Sequence, residues 1–331
     1  MKIKIKLNSQ ATDLEKKVLM DYLHKNELIY DNQFTLEVTE NFDFSELSLF
    51  SFIKEVIKPE AKYPLVGRNN KKPTIIDVQG IKIGGDNFTI IGGPCSVESE
   101  TQLLETAKAC KEAGALILRG GTFKPRTSPY AFQGLGIDGL KLLSKIGKSL
   151  KMPVISEIPG AEFLKEFSEY CDIIQIGARN MQNFQLLKAL GKTNKPVLLK
   201  RGLAATIEEW LYSAEYLMNN GNSNIILCER GIRTFDNTLR NCLDLGAVLA
   251  VKDLSHLPVF VDPSHASGHY SYINGLSKAA LAVGADGLLV EVHNKPKIAL
   301  SDGVQSLKPE KFAQLTEELR KIAPLVNKKI S

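Results

Sequence analysis

One loop of this sequence carries the residue types that bind phosphate. The segment Leu118-Arg119-Gly120-Gly121-Thr122-Phe123-Lys124-Pro125-Arg126-Thr127 follows an apolar run from Ala115 to Leu118 and contains three cations and two threonines. A guanidinium pairs with two phosphate oxygens, a lysine supplies a point charge, and adjacent glycines let backbone approach a ligand. In isolation, this loop is equally compatible with an ordinary charged surface. The remainder of the sequence decides between the two interpretations.

More cations recur at comparable positions further along the chain. They predict two anionic substrates, or one substrate with several anionic groups, because so many cations in one cleft repel one another unless anions offset them. The members of this set are Arg119, Lys124, Arg126, Arg179, Lys200 and Arg230.

A second set combines a thiol, an imidazole and two carboxyl groups, namely those of Cys95, His265, Glu291 and Asp302. These ligand types suit one borderline divalent ion such as Mn²⁺, Fe²⁺, Co²⁺ or Zn²⁺. A lone buried cysteine is usually inert, and a lone histidine is more often structural. On spacing alone, both the metal site and a structural role stay open.

The elements that must position these residues follow a repeating pattern from Phe88 onward. Eight short apolar runs alternate with amphipathic, helix-like stretches, which predicts a parallel sheet buried on both faces and closed into a (β/α)8 TIM barrel. An open doubly wound sheet is the alternative, but no Gly-x-Gly-x-x-Gly follows the first strand. The predicted strands are Phe88–Gly92, Ala115–Leu118, Pro153–Ser156, Ile173–Ile176, Pro196–Leu199, Asn224–Leu227, Pro258–Val261 and Gly287–Val290.

In such a barrel, the side chains that follow the strands share one rim, where the chemistry takes place. A single charged residue there could be a solvated strand end or a structural ion pair. Eight such positions in succession predict an active site instead. The rim residues are Cys95, Arg119 with Lys124, Glu157, Arg179, Lys200 with Arg201, Glu229 with Arg230, Asp262 with His265, and Glu291 with His293.

The chain divides into three predicted parts. Residues 1–65 give the element order β-α-β-β-α-β of a small ferredoxin-like α+β domain, with strands at Lys2–Leu7, Glu27–Tyr30, Phe34–Thr39 and Phe52–Ile57. Residues 66–77 form a linker. Residues 78–331 form the barrel, led by a β-hairpin that is expected to turn at Gly84-Gly85-Asp86-Asn87 and to close the lower mouth.

Composition excludes several classes of protein. The 331 residues are 44% hydrophobic and 24% charged, which is ordinary for a globular chain. The net charge of +5 comes without a basic track interleaved with aromatics, so no nucleic-acid partner is expected. No apolar run approaches the length of about 18 residues that a membrane span needs. Five dispersed cysteines without a Cys-x-x-Cys pair, and a start unlike a signal peptide, predict a cytoplasmic location.

Seven motifs follow one another along the barrel. They are Gly92-Gly93-Pro94-Cys95-Ser96-Val97-Glu98, Leu118 to Ser128, Ile176-Gly177-Ala178-Arg179-Asn180, Leu199-Lys200-Arg201-Gly202, Cys228-Glu229-Arg230-Gly231, Asp262-Pro263-Ser264-His265 and Glu291-Val292-His293. In this order and spacing they resemble one family, the 3-deoxy-D-arabino-heptulosonate 7-phosphate (DAHP) synthases, across essentially the whole barrel. Residues 1–65 are similar to the regulatory domain found on one branch of that family.

The resemblance implies an aldol-like condensation of phosphoenolpyruvate with erythrose 4-phosphate and water, the first step of the shikimate pathway. It implies that Lys124, Cys95 and His265 are catalytic and that one divalent ion binds Cys95, His265, Glu291 and Asp302. The residues implied around phosphoenolpyruvate are Arg119, Lys124, Glu157, Gly177, Ala178, Arg179, Lys200 and Arg230. Those implied for erythrose 4-phosphate are Lys124, Pro125, Arg126, Thr127 and Asp262.

Cys95 bears on metal dependence, because related enzymes without a metal place Asn at this position. The proton donor is left open between Lys124 and a metal-bound group. The roles of Cys110, Cys171, Cys228 and Cys242 are also left open, beyond service as small buried apolar residues.

Two other functions compete with this one. The sister enzyme that makes 3-deoxy-D-manno-octulosonate 8-phosphate shares the barrel, but it typically reads Lys-Ala-Asn-Arg-Ser where this chain has Lys124-Pro125-Arg126-Thr127-Ser128. A non-catalytic ligand sensor on the same barrel is the other alternative.

The resemblance further implies feedback inhibition by tyrosine or phenylalanine, bound between leading domains in a homotetramer. A purely oligomerising role for residues 1–65 is the competing interpretation.

Overall fold

The structure, a computed structural model, describes residues 2–38, 45–57, 62–69, 71–125 and 128–330. The chain forms two compact units, Met1–Pro64 and Leu65–Ser331. Arg126 and Thr127 of the predicted phosphate loop lie outside the described residues. So do Thr39, where the third strand was predicted to end, and Phe44, the first residue of the helix Phe44–Phe50 that we predict between the third and fourth strands.

The first unit is built on a four-stranded antiparallel sheet in the order β2-β3-β1-β4. Apolar side chains of β1, α1 and β3 pack into one buried cluster, because alternate residues of the strands and one face of the helix are apolar. Its elements are β1 (Lys2–Leu7), α1 (Asp13–Lys25), β2 (Ile29–Tyr30), β3 (Thr35–Glu37), a 3₁₀ turn (Glu46–Leu49) and β4 (Ile53–Ile57).

The second unit begins with a hairpin, and its position corrects the sequence prediction. β5 (Ile76–Val78) pairs with β6 (Ile81–Ile83) around a turn at Gln79 and Gly80, not around Gly84 to Asn87. Both turn residues have positive φ, 52° and 88°, as a tight hairpin of this kind requires. The turn was misplaced because the run of Gly, Asp and Asn at 84–87 is the stronger turn signal in the sequence.

Within the described part of the second unit, eight parallel strands close into a barrel, as predicted. Strand interiors are apolar and buried, and side chains of the hairpin join them in one cluster. The strands are β7 (Thr89–Gly93), β8 (Ile117–Arg119), β9 (Val154–Glu157), β10 (Ile173–Ile176), β11 (Val197–Lys200), β12 (Ile225–Glu229), β13 (Val259–Val261) and β14 (Gly287–Glu291).

Helices connect successive strands, and local sequence signals explain several of their ends. Ser99, Thr206 and Asp244 cap helix starts with side-chain oxygens that accept backbone N–H groups. The helices are α2 (Glu100–Glu112), α3 (Gly136–Leu150), α4 (Leu164–Tyr170), α5 (Phe184–Gly191), α6 (Ile207–Asn219), α7 (Leu245–Leu254), α8 (Pro263–Ser267), α9 (Tyr270–Ala282) and α10 (Pro309–Ile322). The short α8 had not been predicted.

Much of the predicted linker packs on the barrel. We call residues 65–69 and 71–74 the strap. Glu215 accepts the backbone N–H groups of Leu65 and Val66 at 2.9 Å, and Val66 is fully buried. His256 contacts the Leu65 carbonyl at 2.8 Å and the Thr74 hydroxyl at 2.6 Å. These contacts fix the path of the chain as it enters the barrel unit.

No helix in the described ranges is both long enough and apolar enough to span a membrane.

Candidate active site

A cavity of about 200 Å³ lies at the carboxyl ends of the barrel strands. Its lining is mostly polar and strongly cationic, as expected for a site that binds anions. The residues that line it are Arg119, Gly120, Gly121, Phe123, Lys124, Pro125, Ile155, Ser156, Glu157, Gln175, Ala178, Arg179, Lys200, Leu203, Arg230, Arg233, Arg240, Asn241, His265 and Asp302.

Cys95, His265, Glu291 and Asp302 lie close together, and two of them, His265 and Asp302, line this cavity. One ligand atom from each residue lies within 4.8 Å of all the others. Metal–ligand bonds of about 2.0–2.3 Å give a coordination sphere of roughly this diameter. The sulfur, nitrogen and oxygen donors suit a borderline divalent ion. The four residues therefore fit a metal ion in both donor chemistry and proximity.

The imidazole of His265 is oriented by its neighbour Asp262. The Nδ1–H group donates to the Asp262 carboxylate at 2.6 Å, and the backbone N–H of His265 donates to the other oxygen at 2.9 Å. The Nε2 lone pair is therefore left facing Glu291, 3.3 Å away. Burial lowers the pKa of His265, which favours the neutral ring that can bind a metal.

Burial and neighbouring charges shift the pKa values of two other proposed ligands, Glu291 and Cys95, in opposite directions. Burial alone would raise the pKa of Glu291, but its electrostatic interactions with His265, Arg119 and Lys124 hold that pKa below its ordinary value. Arg119 donates to Glu291 at 2.5 Å. Burial raises the pKa of the Cys95 thiol to about 12, and the charge of Glu291 adds to that rise. A thiolate at neutral pH therefore needs a bound cation.

Lys124 lies between the cluster of proposed metal ligands and the anion cavity. Its Nζ lies 3.0 Å from Cys95 Sγ and 3.2 Å from the Cys95 carbonyl oxygen. The same side chain lines the anion cavity. An ammonium group at this junction can contact both an anionic ligand and a group that is bound to the ion.

Three guanidinium groups on the cavity wall, those of Arg179, Arg230 and Arg233, have no carboxylate partner within the described ranges. Arg230 is only 6% exposed, and its side chain makes one long contact, 3.4 Å, to the Gly231 carbonyl. Burial lowers its pKa, a sign that the charge is poorly compensated. An unpaired buried charge is costly unless a ligand offsets it. The cavity is therefore built for an anion with more than one negative charge.

A carboxylate, Glu157, faces the same cavity from the end of β9. Gln175 on β10 donates to it at 2.7 Å and fixes its direction. Gly177 leaves room for this carboxylate, because a Cβ at that position would lie 2.1 Å from Glu157 Oε1. Its φ of −68° is open to any residue, so the close approach alone requires glycine.

Not every predicted rim residue reaches the cavity. Arg201 pairs with Glu229 at 2.9 Å and with Asp244 at 3.0 Å, which is a structural ion-pair network. His293 pairs with Glu98 at 3.4 Å beside the loop that carries Asp302. Asp262 does not line the cavity; it accepts hydrogen bonds from Lys200 and His265 instead.

Sequence reasoning missed several residues of this site, among them Arg233, Arg240 and Gln305. Arg233 and Arg240 line the cavity, and Gln305 donates to Glu291 at 2.5 Å. None of these three residues directly follows an apolar run, so they are not found by searching the positions just after each predicted strand. An exposed arginine pair in a loop gives little signal by itself.

Comparisons with known proteins bear on this arrangement. The DAHP synthetase I family matches residues 68–327. A phospho-2-dehydro-3-deoxyheptonate aldolase of Thermotoga maritima is 52% identical over 289 residues, 87% of this chain and 85% of that protein. A 2-dehydro-3-deoxyphosphooctonate aldolase of Citrifermentans bemidjiense is 33% identical over 271 residues, 76% of this chain and 98% of that protein.

Solved structures give the same picture. A crystal structure of phospho-2-dehydro-3-deoxyheptonate aldolase (DAHP synthase) from Thermotoga maritima superposes with a TM-score of 0.81 at 44% identity, covering 100% of this chain and 99% of that chain. A truncated form of 3-deoxy-D-arabino-heptulosonate 7-phosphate synthase from the same organism superposes with a TM-score of 0.77 at 49% identity. That match covers 82% of this chain and all of the other.

Proposed function

This chain belongs to the DAHP synthetase I family, and on that premise we propose how its cavity carries out the family's reaction. The enzyme condenses phosphoenolpyruvate with D-erythrose 4-phosphate and water to give 3-deoxy-D-arabino-heptulosonate 7-phosphate and inorganic phosphate. C3 of phosphoenolpyruvate bonds to the aldehyde carbon, water oxygen adds at C2, and the bond from C2 to the phosphate oxygen breaks. This is the first step of the shikimate pathway, which leads to the aromatic amino acids.

One observation supports this assignment most strongly: unpaired guanidinium groups line a cavity that is also lined by His265 and Asp302, two of the four clustered metal-ligand residues. Phosphoenolpyruvate carries a carboxylate and a phosphate, and the aldose carries a second phosphate. Cations without carboxylate partners match that charge, and the ligand set lies where an aldehyde oxygen could be polarised.

For phosphoenolpyruvate we propose the cations at the strand ends, with Glu157 on the same wall. Arg119 and Lys200 are buried, and each is already paired with a carboxylate, so both are held in place before the substrate arrives. Such pre-organisation lowers the entropic cost of binding. The residues assigned to this substrate are Arg119, Lys124, Glu157, Gly177, Ala178, Arg179, Lys200 and Arg230.

For erythrose 4-phosphate we propose the continuation of the phosphate loop, with Lys124 and Pro125 on the cavity wall. Arg126 and Thr127 follow directly in the sequence and are proposed to hold the aldose phosphate, although both lie outside the described residues. Asp262 would act through Lys200 and His265, whose side chains it orients.

We propose that Cys95, His265, Glu291 and Asp302 hold one divalent ion, of Mn, Fe, Co or Zn. When bound, such an ion would supply Lewis acidity toward the aldehyde oxygen. Lys124 is proposed to donate a proton at that oxygen as the new carbon–carbon bond forms. Its Nζ lies beside Cys95 Sγ, and a lysine is ordinarily protonated at neutral pH.

Product analysis tests the substrate assignment. The enzyme is incubated with phosphoenolpyruvate and either erythrose 4-phosphate or arabinose 5-phosphate, each with and without a chelator. Turnover of the tetrose in the absence of chelator, and its loss with chelator, is the expected result. Preference for the pentose would instead support the octulosonate enzyme, and no turnover of either sugar would support a ligand sensor.

For the first unit, we propose a ferredoxin-like regulatory domain, supported by the strand order β2-β3-β1-β4. We further propose that it binds an aromatic amino acid between neighbouring subunits of a homotetramer and inhibits the barrel, and that the enzyme works in the cytoplasm. A chain that begins at Leu65 should retain activity and lose inhibition by tyrosine or phenylalanine. Inhibition that persists in this truncation would place the effector site in the barrel unit.

A further inference from the structure

Gln305 lies between a proposed metal ligand and the cavity wall. It belongs to the loop that follows β14, and it is only 2% exposed. Its Nε2 donates to Glu291 Oε2 at 2.5 Å, and its Oε1 accepts from the guanidinium of Arg240 at 2.7 Å. Glu291 Oε1 is the oxygen that faces His265 Nε2, at 3.3 Å. Gln305 therefore holds one carboxylate oxygen, while the other, which also accepts from Arg119, faces His265.

The direction of this chain of hydrogen bonds is fixed by chemistry. Arg240 can only donate, so it faces the amide oxygen of Gln305. The ionised Glu291 can only accept, so it faces the amide nitrogen. A flipped amide would set donor against donor and acceptor against acceptor. Arg240 thus determines which way Gln305 points, although Arg240 itself does not contact Glu291.

Arg240 also contacts one other proposed ligand, Asp302, and its neighbour Asn241 contacts a third, His265. Its guanidinium lies 3.6 Å from Asp302 Oδ1. Its backbone N–H donates to Ser267 at 3.2 Å, and the next residue, Asn241, donates through its side chain to the His265 carbonyl at 3.0 Å. The stretch of chain that carries Arg240 is therefore tied to the short helix that carries His265.

We propose that Arg240 and Gln305 form a positioning pair that holds Glu291 and Asp302 in the geometry needed to bind the divalent ion. The inference rests on the metal site assigned above. Outer groups that orient metal ligands typically change metal affinity by about 10- to 100-fold when they are removed. Although Arg240 lines the cavity, the role proposed for the pair is to act on the ion through its ligands.

The test measures binding of Mn²⁺ to the full-length enzyme by calorimetry in the absence of substrates. Arg240→Met keeps the aliphatic stem that lies against Gly268, and Gln305→Met keeps nearly the same volume in a buried position. Each variant is expected to weaken Mn²⁺ binding by about 10- to 100-fold. The double variant should be little worse than either single one, because both break the same chain of contacts.

Arg233→Met is the matched control. Arg233 lies in the same loop and lines the same cavity, but among the described residues no hydrogen bond or ion pair joins its side chain to Glu291, Asp302 or Gln305. Loss of the Arg233 guanidinium should therefore leave the affinity of the enzyme for Mn²⁺ unchanged. The Co²⁺-loaded enzyme gives a second reading, since its ligand-field absorption should change in Gln305→Met and stay the same in Arg233→Met.

Two outcomes would overturn the proposal. Wild-type Mn²⁺ affinity in Arg240→Met would do so, and an increased KM for the aldose with unchanged Mn²⁺ affinity would make Arg240 a substrate-binding residue instead. Cys95→Ala and His265→Ala distinguish a failure of the proposed metal site from a failure of the proposed positioning pair. Wild-type Mn²⁺ binding in these variants refutes the metal site itself, whereas loss in them and retention in Arg240→Met and Gln305→Met refutes the positioning pair alone.

Discussion

Substitution of Gly177 by alanine should impair the reaction without impairing the fold. The new Cβ would lie 2.1 Å from Glu157 Oε1 and 2.5 Å from its Cδ. The backbone at Gly177, with φ of −68° and ψ of 157°, is one that alanine adopts freely, so no backbone strain is expected. The backbone N–H is also retained, which separates the effect on Glu157 from any loss of a phosphate donor.

The size of the expected kinetic effect follows from the displacement of the Glu157 carboxylate. The Glu157 carboxylate has to leave its place, and its 2.7 Å hydrogen bond from Gln175 is then lost. Hydrogen bonds to charged groups contribute about 1.5–3 kcal/mol, which corresponds to roughly a 10- to 150-fold change in a rate constant. We therefore expect kcat/KM for phosphoenolpyruvate to fall by up to about that factor, while the melting temperature falls by no more than several degrees.

Steady-state kinetics with phosphoenolpyruvate varied at saturating aldose measures the effect, and thermal denaturation checks the fold. Gly275→Ala is the matched control, because a Cβ at Gly275 meets no atom within 4 Å and the residue lies inside α9. That change should leave kinetics unaltered and raise stability by about 0.5–1 kcal/mol. In a Glu157→Ala background the Gly177→Ala effect should largely vanish. An unchanged kcat/KM in Gly177→Ala would refute the role given to Glu157.

Three further predictions concern the metal, the strap and a buried histidine. Cys95→Ala and His265→Ala should abolish metal-dependent turnover while circular dichroism stays native; full activity in either variant would contradict its role as a ligand. Deletion of residues 1–64 should leave the barrel stable, whereas deletion of residues 1–73 also removes most strap contacts and should lower its melting temperature by roughly 5–10 °C; equal melting temperatures would show that the strap contributes nothing. Burial lowers the pKa of His256 below its ordinary value of 6.5, so the unfolded chain binds the proton more readily and stability must fall as pH drops below that value. His256→Gln should flatten this dependence between about pH 7 and pH 5, and parallel pH profiles for the two proteins would contradict it.

The barrel could be predicted because its signal is local and repeated. Each strand is a short apolar run, and each run is followed by an amphipathic helix, so periodicity alone gives the architecture. The rim residues could be predicted for a related reason, since the position just after a strand fixes the edge on which a side chain lies. Within that rule, Arg119, Glu157 and Lys200 all reach the cavity.

The rule that residues just after a strand face the cavity fails where the position along the strand does not determine the direction of the side chain. Arg201 follows Lys200 at the end of β11, yet it points to Glu229 and Asp244 rather than into the cavity. Successive side chains of a strand face opposite ways, so neighbours in sequence have different surroundings. The hairpin was misplaced for a different reason: two competing turn signals lie close together, and packing against the barrel interior selects the weaker one.

The sequence by itself determined the barrel and the cationic rim, because strand periodicity and residue chemistry are local properties. For the four proposed metal ligands it supplied suitable residue types and a family resemblance, while their spacing alone left the site open. Only the tertiary structure decided which cations stay unpaired, which carboxylates are structural, and that Arg240 reaches Gln305 across 65 residues of chain. Such pairings depend on how loops from different strands meet at the rim. Their geometry is set by packing of the whole unit and leaves no trace in the spacing of residues.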